Sequence, residues 1–163
     1  MSHEPDLTHV DRSGKAHMVD VSDKEITRRQ ARAAGRIQMR AETLEAVERN
    51  TVRKGDVLSV ARIAAIGGAK RASDLIPLCH PLTLDGIDIT MEANPALPGI
   101  RIEVSVTTEG RTGVEMEALC GVSAGLLAVY DMCKSLDRDM VIESVQLMSK
   151  TGGQSGDWSR PED

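Results

Sequence analysis

The run Ile87-Asp88-Ile89-Thr90-Met91-Glu92-Ala93, the link Asn94-Pro95-Ala96-Leu97-Pro98-Gly99 and the run Ile100-Arg101-Ile102-Glu103-Val104-Ser105-Val106-Thr107 decide the fold. In each run apolar residues alternate with polar ones. Period two is the pleat of a strand with one buried face. The link holds Asn, two Pro and Gly, the residues of turns. The stretch therefore predicts a hairpin of two half-buried strands.

Downstream, Thr112-Gly113-Val114-Glu115 reads as a capping box. A long helix follows, with Leu119, Val122, Leu126, Val129 and Cys133 as its buried stripe. Met140 to Met148 then predicts a final strand. Upstream, Asp56 to Ala69 carries Val57, Leu58, Val60, Ala61, Ile63, Ala64 and Ile66, a broad apolar stripe at helical spacing, with Gly67-Gly68 weakening its last turn. Glu42 to Asn50 reads as a short helical piece and Arg36 to Arg40 as a short strand. Asp23 to Ala34, capped by Ser22 with Glu25 three residues on, reads as a helix with Arg28, Arg29 and Arg32 on a basic face.

The order is β-α-β-β-α-β after a helical N-terminal extension. That is an α+β, ferredoxin-like plan: an antiparallel sheet with helices on one face. The other face must meet water or another subunit. Residues 1–16 read as a flexible tail, 17–157 as one domain and 158–163 as a C-terminal tail.

A chain of 163 residues with net charge −5 suits one domain and argues against a dedicated nucleic-acid binder. Phe is absent, and Tyr130 and Trp158 are the only aromatics, so stacking platforms for single-stranded nucleic acid are missing too. No basic start precedes an apolar stretch, and no apolar run approaches the ~18 residues of a membrane span. Cys79, Cys120 and Cys133 form no C-x-x-C pair; reduced thiols in a cytoplasmic protein are expected, without a metal site.

Several side chains invite chemistry, each with a plain alternative. Leu75-Ile76-Pro77-Leu78-Cys79-His80-Pro81-Leu82 sets a thiol and an imidazole on a stiff turn between two prolines. His80 is the only histidine beyond the polar N-terminal region. No Asp or Asn is adjacent, so a Cys-His nucleophile is not supported; a histidine donating to a carbonyl is the plain reading. Lys54, ahead of Gly55-Asp56, opposes a helix dipole: either a solvated lysine or one that holds an anion there. Asp131 and Lys134 share a helix face, as any surface pair three apart would. Their apolar neighbours Tyr130, Met132 and Cys133 suggest partial burial, which with a second cation would lower a lysine pKa. Glu115 suits the capping box; Glu117 stays open. Lys70-Arg71 could grip phosphate or be a solvated helix end. Lys150 to Asp157 is glycine-rich but fails the P-loop pattern. Together these groups suggest an anionic, phosphorylated small substrate and lysine-centred proton transfer, without naming a reaction.

The combination resembles a known family. His17-Met18-Val19-Asp20-Val21-Ser22, Lys54-Gly55-Asp56-Val57, Asp74 to Pro81, Thr112 to Leu119, Tyr130-Asp131-Met132-Cys133-Lys134 and Lys150-Thr151-Gly152-Gly153 occur in order. From about His17 to Asp157 the chain resembles cyclic pyranopterin monophosphate synthase, accessory protein C of molybdenum cofactor biosynthesis. The resemblance implies a cytoplasmic lyase of the phosphorus–oxygen type. Its subunits form a homohexamer, a trimer of dimers, with active sites at the dimer interfaces. The implied substrate is 3′,8-cyclo-7,8-dihydroguanosine 5′-triphosphate, made from GTP by a radical enzyme, and the products are cyclic pyranopterin monophosphate and pyrophosphate. Lys54 and Lys134 resemble the acid–base pair, with Asp131 orienting Lys134 or relaying its proton. Leu78, Cys79, His80, Met116 and Glu117 match substrate-binding segments, and Arg29, Lys70 and Lys150 match positions for the triphosphate. No resident cofactor, metal, nucleic acid or membrane is implied, and Mg²⁺ accompanying the triphosphate is left open.

Such chemistry would suit these groups. Purine opening and pyran-ring formation need repeated proton transfers, which a lysine of lowered pKa can supply. Closing the cyclic phosphate needs positioning and cations rather than a protein nucleophile, so Cys79 need not react. A non-catalytic nucleotide-binding regulator on the same fold is the competing expectation.

Overall fold

A computed structural model describes residues 14–161. Its elements are β1 (Thr27–Gln38), α1 (Ala41–Glu48), α2 (Val57–Lys70), α3 (Ala72–Leu75), β2 (Gly86–Asn94), β3 (Gly99–Gly110), α4 (Glu115–Cys133), β4 (Val141–Thr151) and β5 (Trp158–Ser159). They build one antiparallel sheet in the order β2-β3-β1-β4-β5. The first four strands in that order, with α2 and α4 packed on the sheet, give the ferredoxin-like α+β arrangement expected.

The hairpin forms as its alternation requires, Ile87 facing Val106 and Ala93 facing Ile100 across the ladder. Asn94 closes the link, its Oδ1 accepting the backbone N–H of Ala96 and Leu97. The inward residues of β1 and β3, among them Ala31, Ala33, Ile37, Ile102, Val104 and Val106, are buried against α4's Val122, Leu126 and Val129. Burying each Leu or Val stabilises the fold by about 1.5–3 kcal/mol.

α2 and α4 lie side by side and run antiparallel. A Cβ on Gly68 would stand 2.5 Å from Ala124 Cβ and 2.7 Å from the Cys120 carbonyl, and one on Gly125 only 3.4 Å from the Ala61 carbonyl. Small residues let the two backbones touch, so the start of α2 meets the end of α4. This pairing places the chemistry described below.

The opposite sheet face is polar and internally paired. Glu103 takes Arg32 Nε at 2.9 Å and Arg101 at 2.8 Å, Arg36 meets Glu143 at 2.8 Å, and Gln30 donates to Ser105 at 3.1 Å. Exposed pairs of this kind contribute at most about 1 kcal/mol each.

Several sequence expectations are corrected. No helix forms over Asp23 to Ala34, so the expected helical N-terminal extension is absent; Thr27 onward is β1, which takes in Arg36 to Gln38 of the strand expected over Arg36 to Arg40. The spacing of Arg28, Arg29 and Arg32 mimics a helix face, but pairing with both β3 and β4 prevails over local preference. The capping box does not form. α4 starts at Glu115 with Val114 as its uncapped N-cap residue, and the Glu115 carboxylate turns to Lys150 instead, 3.5 Å away. α4 is long and apolar enough on average to match a membrane span by length and composition, although Glu115, Glu117 and Asp131 interrupt it and much of it is covered as a core helix. Most of the stretch read as an N-terminal tail, residues 1–13, lies outside the described residues. Trp158–Ser159, at the start of the stretch read as a C-terminal tail, pairs with Ser149–Lys150.

Candidate functional site

The candidate groups collect at the two ends of α4. At its C-terminal end, antiparallel packing carries Lys54 from the turn before α2 onto α4's last turn. Its Nζ donates to the Asp131 backbone carbonyl at 2.7 Å and to Asp131 Oδ2 at 3.1 Å. Lys134 Nζ meets the other oxygen, Oδ1, at 2.7 Å. One carboxylate thus bridges two ammonium groups. The position of Lys54, unfavourable at the start of α2, becomes favourable because the side chain reaches the negative end of α4.

These groups are open to solvent, which corrects the expected burial: the Lys134 side chain is 51% exposed. The bond to Asp131, the largest influence, holds the Lys134 pKa above its ordinary 10.5 rather than below it. Lys134 and then Lys54 hold the Asp131 carboxyl below its ordinary 3.8. Lowering a lysine pKa here would require something that desolvates the cluster or displaces Asp131.

Asp137 anchors the turn that follows Lys134. Its carboxylate is buried, accepting the N–H of Arg40 at 2.8 Å and of Asp139 at 3.1 Å and the Thr43 hydroxyl at 3.4 Å, beside the Arg40 guanidinium at 3.6 Å. Arg40 also donates to the Leu136 carbonyl. These bonds tie α1 to the turn that ends α4.

At the N-terminal end of α4, a cavity of about 290 Å³ is lined by Leu78, Cys79, His80 and Met116, together with Val19 and Lys24. The two prolines present the Cys-His turn to it. His80 Nε2–H donates to the Val19 carbonyl at 2.8 Å, so the plain reading of this histidine describes its bond while its ring still lines the cavity. Cys79 Sγ donates to Glu117 Oε1 at 3.5 Å. Burial first, then Glu117, push the Cys79 pKa up to about 12, which suppresses the thiolate and with it any role as nucleophile.

A second cavity of about 190 Å³ adjoins the first, sharing Lys24, Thr112, Gly113 and Glu115 with it. Arg29, Arg111 and Lys150 complete a set of four cations facing one carboxylate. Arg29 is fixed on the inner face of β1 by its bond to the Gly110 carbonyl at 2.9 Å. Lys150 donates to Ser155 at 2.9 Å, inside the loop 152–157 that Gly152 N–H closes onto Asp157. Gly152 and Gly153 have φ of +85° and +81°, values that favour glycine, and Gly153 lies directly against the Arg29 guanidinium. This concave, positively charged surface suits a polyphosphate.

Lys54, Asp131 and Lys134 are thus brought together. Leu78, Cys79, His80 and Met116 line the first distal cavity, Glu117 lies behind Cys79, and Arg29 and Lys150 line the second. Lys70 is brought into neither; it borders an open depression with Ile66 and the segment from Leu82 to Ile87. Along α4, Met116 and Asp131 are separated by about 22 Å at ~1.5 Å per residue. Lys24 and Arg111 were not singled out in the sequence, where each is a lone cation in a polar loop; only the fold joins them. A profile of the MoaC family matches residues 18–153, a span that takes in both ends.

Proposed function

The chain belongs to the MoaC family of cyclic pyranopterin monophosphate synthases, and from that membership we propose that it converts 3′,8-cyclo-7,8-dihydroguanosine 5′-triphosphate to cyclic pyranopterin monophosphate and pyrophosphate. Membership itself assigns an enzymatic role in molybdenum cofactor biosynthesis. The specific reaction is supported above all by one observation, the carboxylate of Asp131 held between the ammonium groups of Lys54 and Lys134.

In this reading the two lysines are the acid–base groups. Asp131 binds both side chains in the free protein and holds the proton on Lys134, ready to donate. A substrate that takes over the Asp131 contact and excludes water lowers the lysine pKa, so the same nitrogen next accepts a proton. The cations Lys24, Arg29, Arg111 and Lys150 hold the triphosphate and stabilise the departing pyrophosphate while a sugar hydroxyl attacks the α-phosphorus. Cys79 and His80 shape the wall for the purine-derived ring, and the thiol stays intact. Mg²⁺, if used, travels with the triphosphate.

One protomer's two groups lie too far apart along α4 to act on the same reacting centre. The site is therefore shared: the lysine cluster of one chain faces the cavities of its partner in a dimer, three of which form a hexamer. The exposed apolar side chains between the two ends, Ile63 at 71% and Leu127 at 60% exposure, suit coverage by that partner. The enzyme works in the cytoplasm in this reading.

Incubation of the purified protein with the cyclic triphosphate tests the reaction. Pyrophosphate release that disappears in Lys54→Ala is expected. No release above that control would leave a nucleotide-binding regulator instead.

A further inference from the structure

Two carboxyl groups of this chain are equally buried and meet opposite surroundings. Asp137, 2% exposed, is surrounded by two backbone donors, a hydroxyl and a guanidinium. Glu117, 3% exposed, receives a weak thiol donor on Oε1 beside the influence of its own backbone N–H, and no protein donor reaches its Oε2. None of the ion pairs among the described residues includes Glu117. An ionised carboxylate without a cation or a set of donors is strongly disfavoured away from water. Protonation relieves that cost and turns Oε2 into a donor.

Of the titratable groups near Glu117, Glu115 makes its ionisation harder, while the Cys79 thiol, as a weak donor, acts the other way. Cys79 approaches from the turn after α3, while Cys120 and Glu115 stand on α4 itself. Burial is the leading cause that holds the Glu117 carboxyl above its ordinary 4.5; its own backbone N–H and the Cys79 thiol oppose the rise, and Glu115 adds to it. Cys79 in turn lines the cavity and precedes His80, whose ring lines it too.

We propose that Glu117 carries its proton at neutral pH and is a positioning residue: its neutral carboxyl receives the Cys79 thiol, fixing the Leu78-Cys79-His80 wall without a buried negative charge beside the cation-lined cavity. The positioning half rests on the functional reading of the cavities; the proton itself is a property of the free chain. As pH rises through the folded-state pKa of Glu117, the carboxyl ionises, and the new charge disfavours an anion bound next door. The alkaline limb of anion affinity then belongs to a residue that does not touch the anion.

Infrared difference spectra between the free wild-type protein and Glu117→Gln at pH 7 test the proton. The carbonyl stretch of an un-ionised carboxylic acid should be present in the wild type, absent from the variant and replaced by carboxylate bands at alkaline pH. A carboxylate difference alone at pH 7 would overturn the proposal. Should Glu117→Gln fail to fold, wild-type protein labelled with ¹³C at glutamate carboxyls gives the same answer through its pH titration. Calorimetric titration with inorganic pyrophosphate tests positioning: across the alkaline range the wild type should lose about fivefold more affinity than Glu117→Gln. Identical pH dependence in the two proteins would overturn that half. An acid band in a protein that releases no pyrophosphate from the cyclic triphosphate would remove the functional reading and leave the proton assignment standing.

Discussion

Lys54 and Asp131 join the start of one helix to the end of another: Lys54 Nζ sits 2.7 Å from the Asp131 carbonyl and 3.1 Å from its carboxylate. The contact follows from the small residues between α2 and α4, which make the helices antiparallel neighbours at close range. Packing and chemistry are coupled here, because a change in helix register would move Lys54 away from Lys134's partner.

Replacing Lys54 or Lys134 by alanine should lower the rate of pyrophosphate release by at least about 100-fold, the scale of a lost general acid or base. Thermal unfolding should barely move, since exposed ion pairs contribute little. A Lys54→Ala enzyme with near wild-type turnover would exclude Lys54 from proton transfer.

Asp131→Asn should lower the Lys134 pKa, because the Asp131 carboxylate is what holds it up. Protonated Lys134 contributes stability fully present below 10.5 and lost as pH rises through its higher folded value. Titration of the lysine Nζ resonances by NMR reads the shift directly, and an unchanged Lys134 would show that Asp131 does not control it.

Asp137→Ala should destabilise the protein by about 2–4 kcal/mol in urea unfolding, since it strands buried donors and leaves a void. Although burial opposes it, the hydrogen bonds from Arg40 and Asp139 hold the Asp137 carboxyl below 3.8. Its stabilising contribution is therefore present above pH 3.8 and lost as pH falls through the folded value. The difference between wild type and variant should shrink in acid.

Gly153→Ala should weaken pyrophosphate binding by about tenfold, the scale of a charge-assisted hydrogen bond. An added methyl meets the Arg29 guanidinium, and the φ of +81° strains any other residue. Calorimetry on folded variant protein checks this; equal affinity would place the anion elsewhere.

Periodicity made β2, β3, α2 and α4 legible, because each carries large apolar residues at the spacing of its own geometry. β1 was hidden. Its inward residues Ala31, Ala33 and Gly35 are small because α4 lies close above them, so they give little hydrophobic signal, while its arginines imitate a helix. The residues of the candidate site were legible through motifs, but not their division between opposite ends of α4. Lys24 and Arg111 carried no signal, as the cavity they line is made only when β1, β4 and the loop before α4 converge. The exposure of Lys134 also escaped prediction: its apolar neighbours Met132 and Cys133 point into the core, away from it.

The shared site is tested most directly by mixing two variants, Lys54→Ala and His80→Ala, each expected to be nearly inactive alone. After subunits are dissociated and reassembled together, a two-fold dimer of one of each chain holds one intact site, so pyrophosphate release should recover to about a quarter of the wild-type rate. No recovery, in a mixture shown by mass spectrometry to contain mixed dimers, would contradict a site built from both chains.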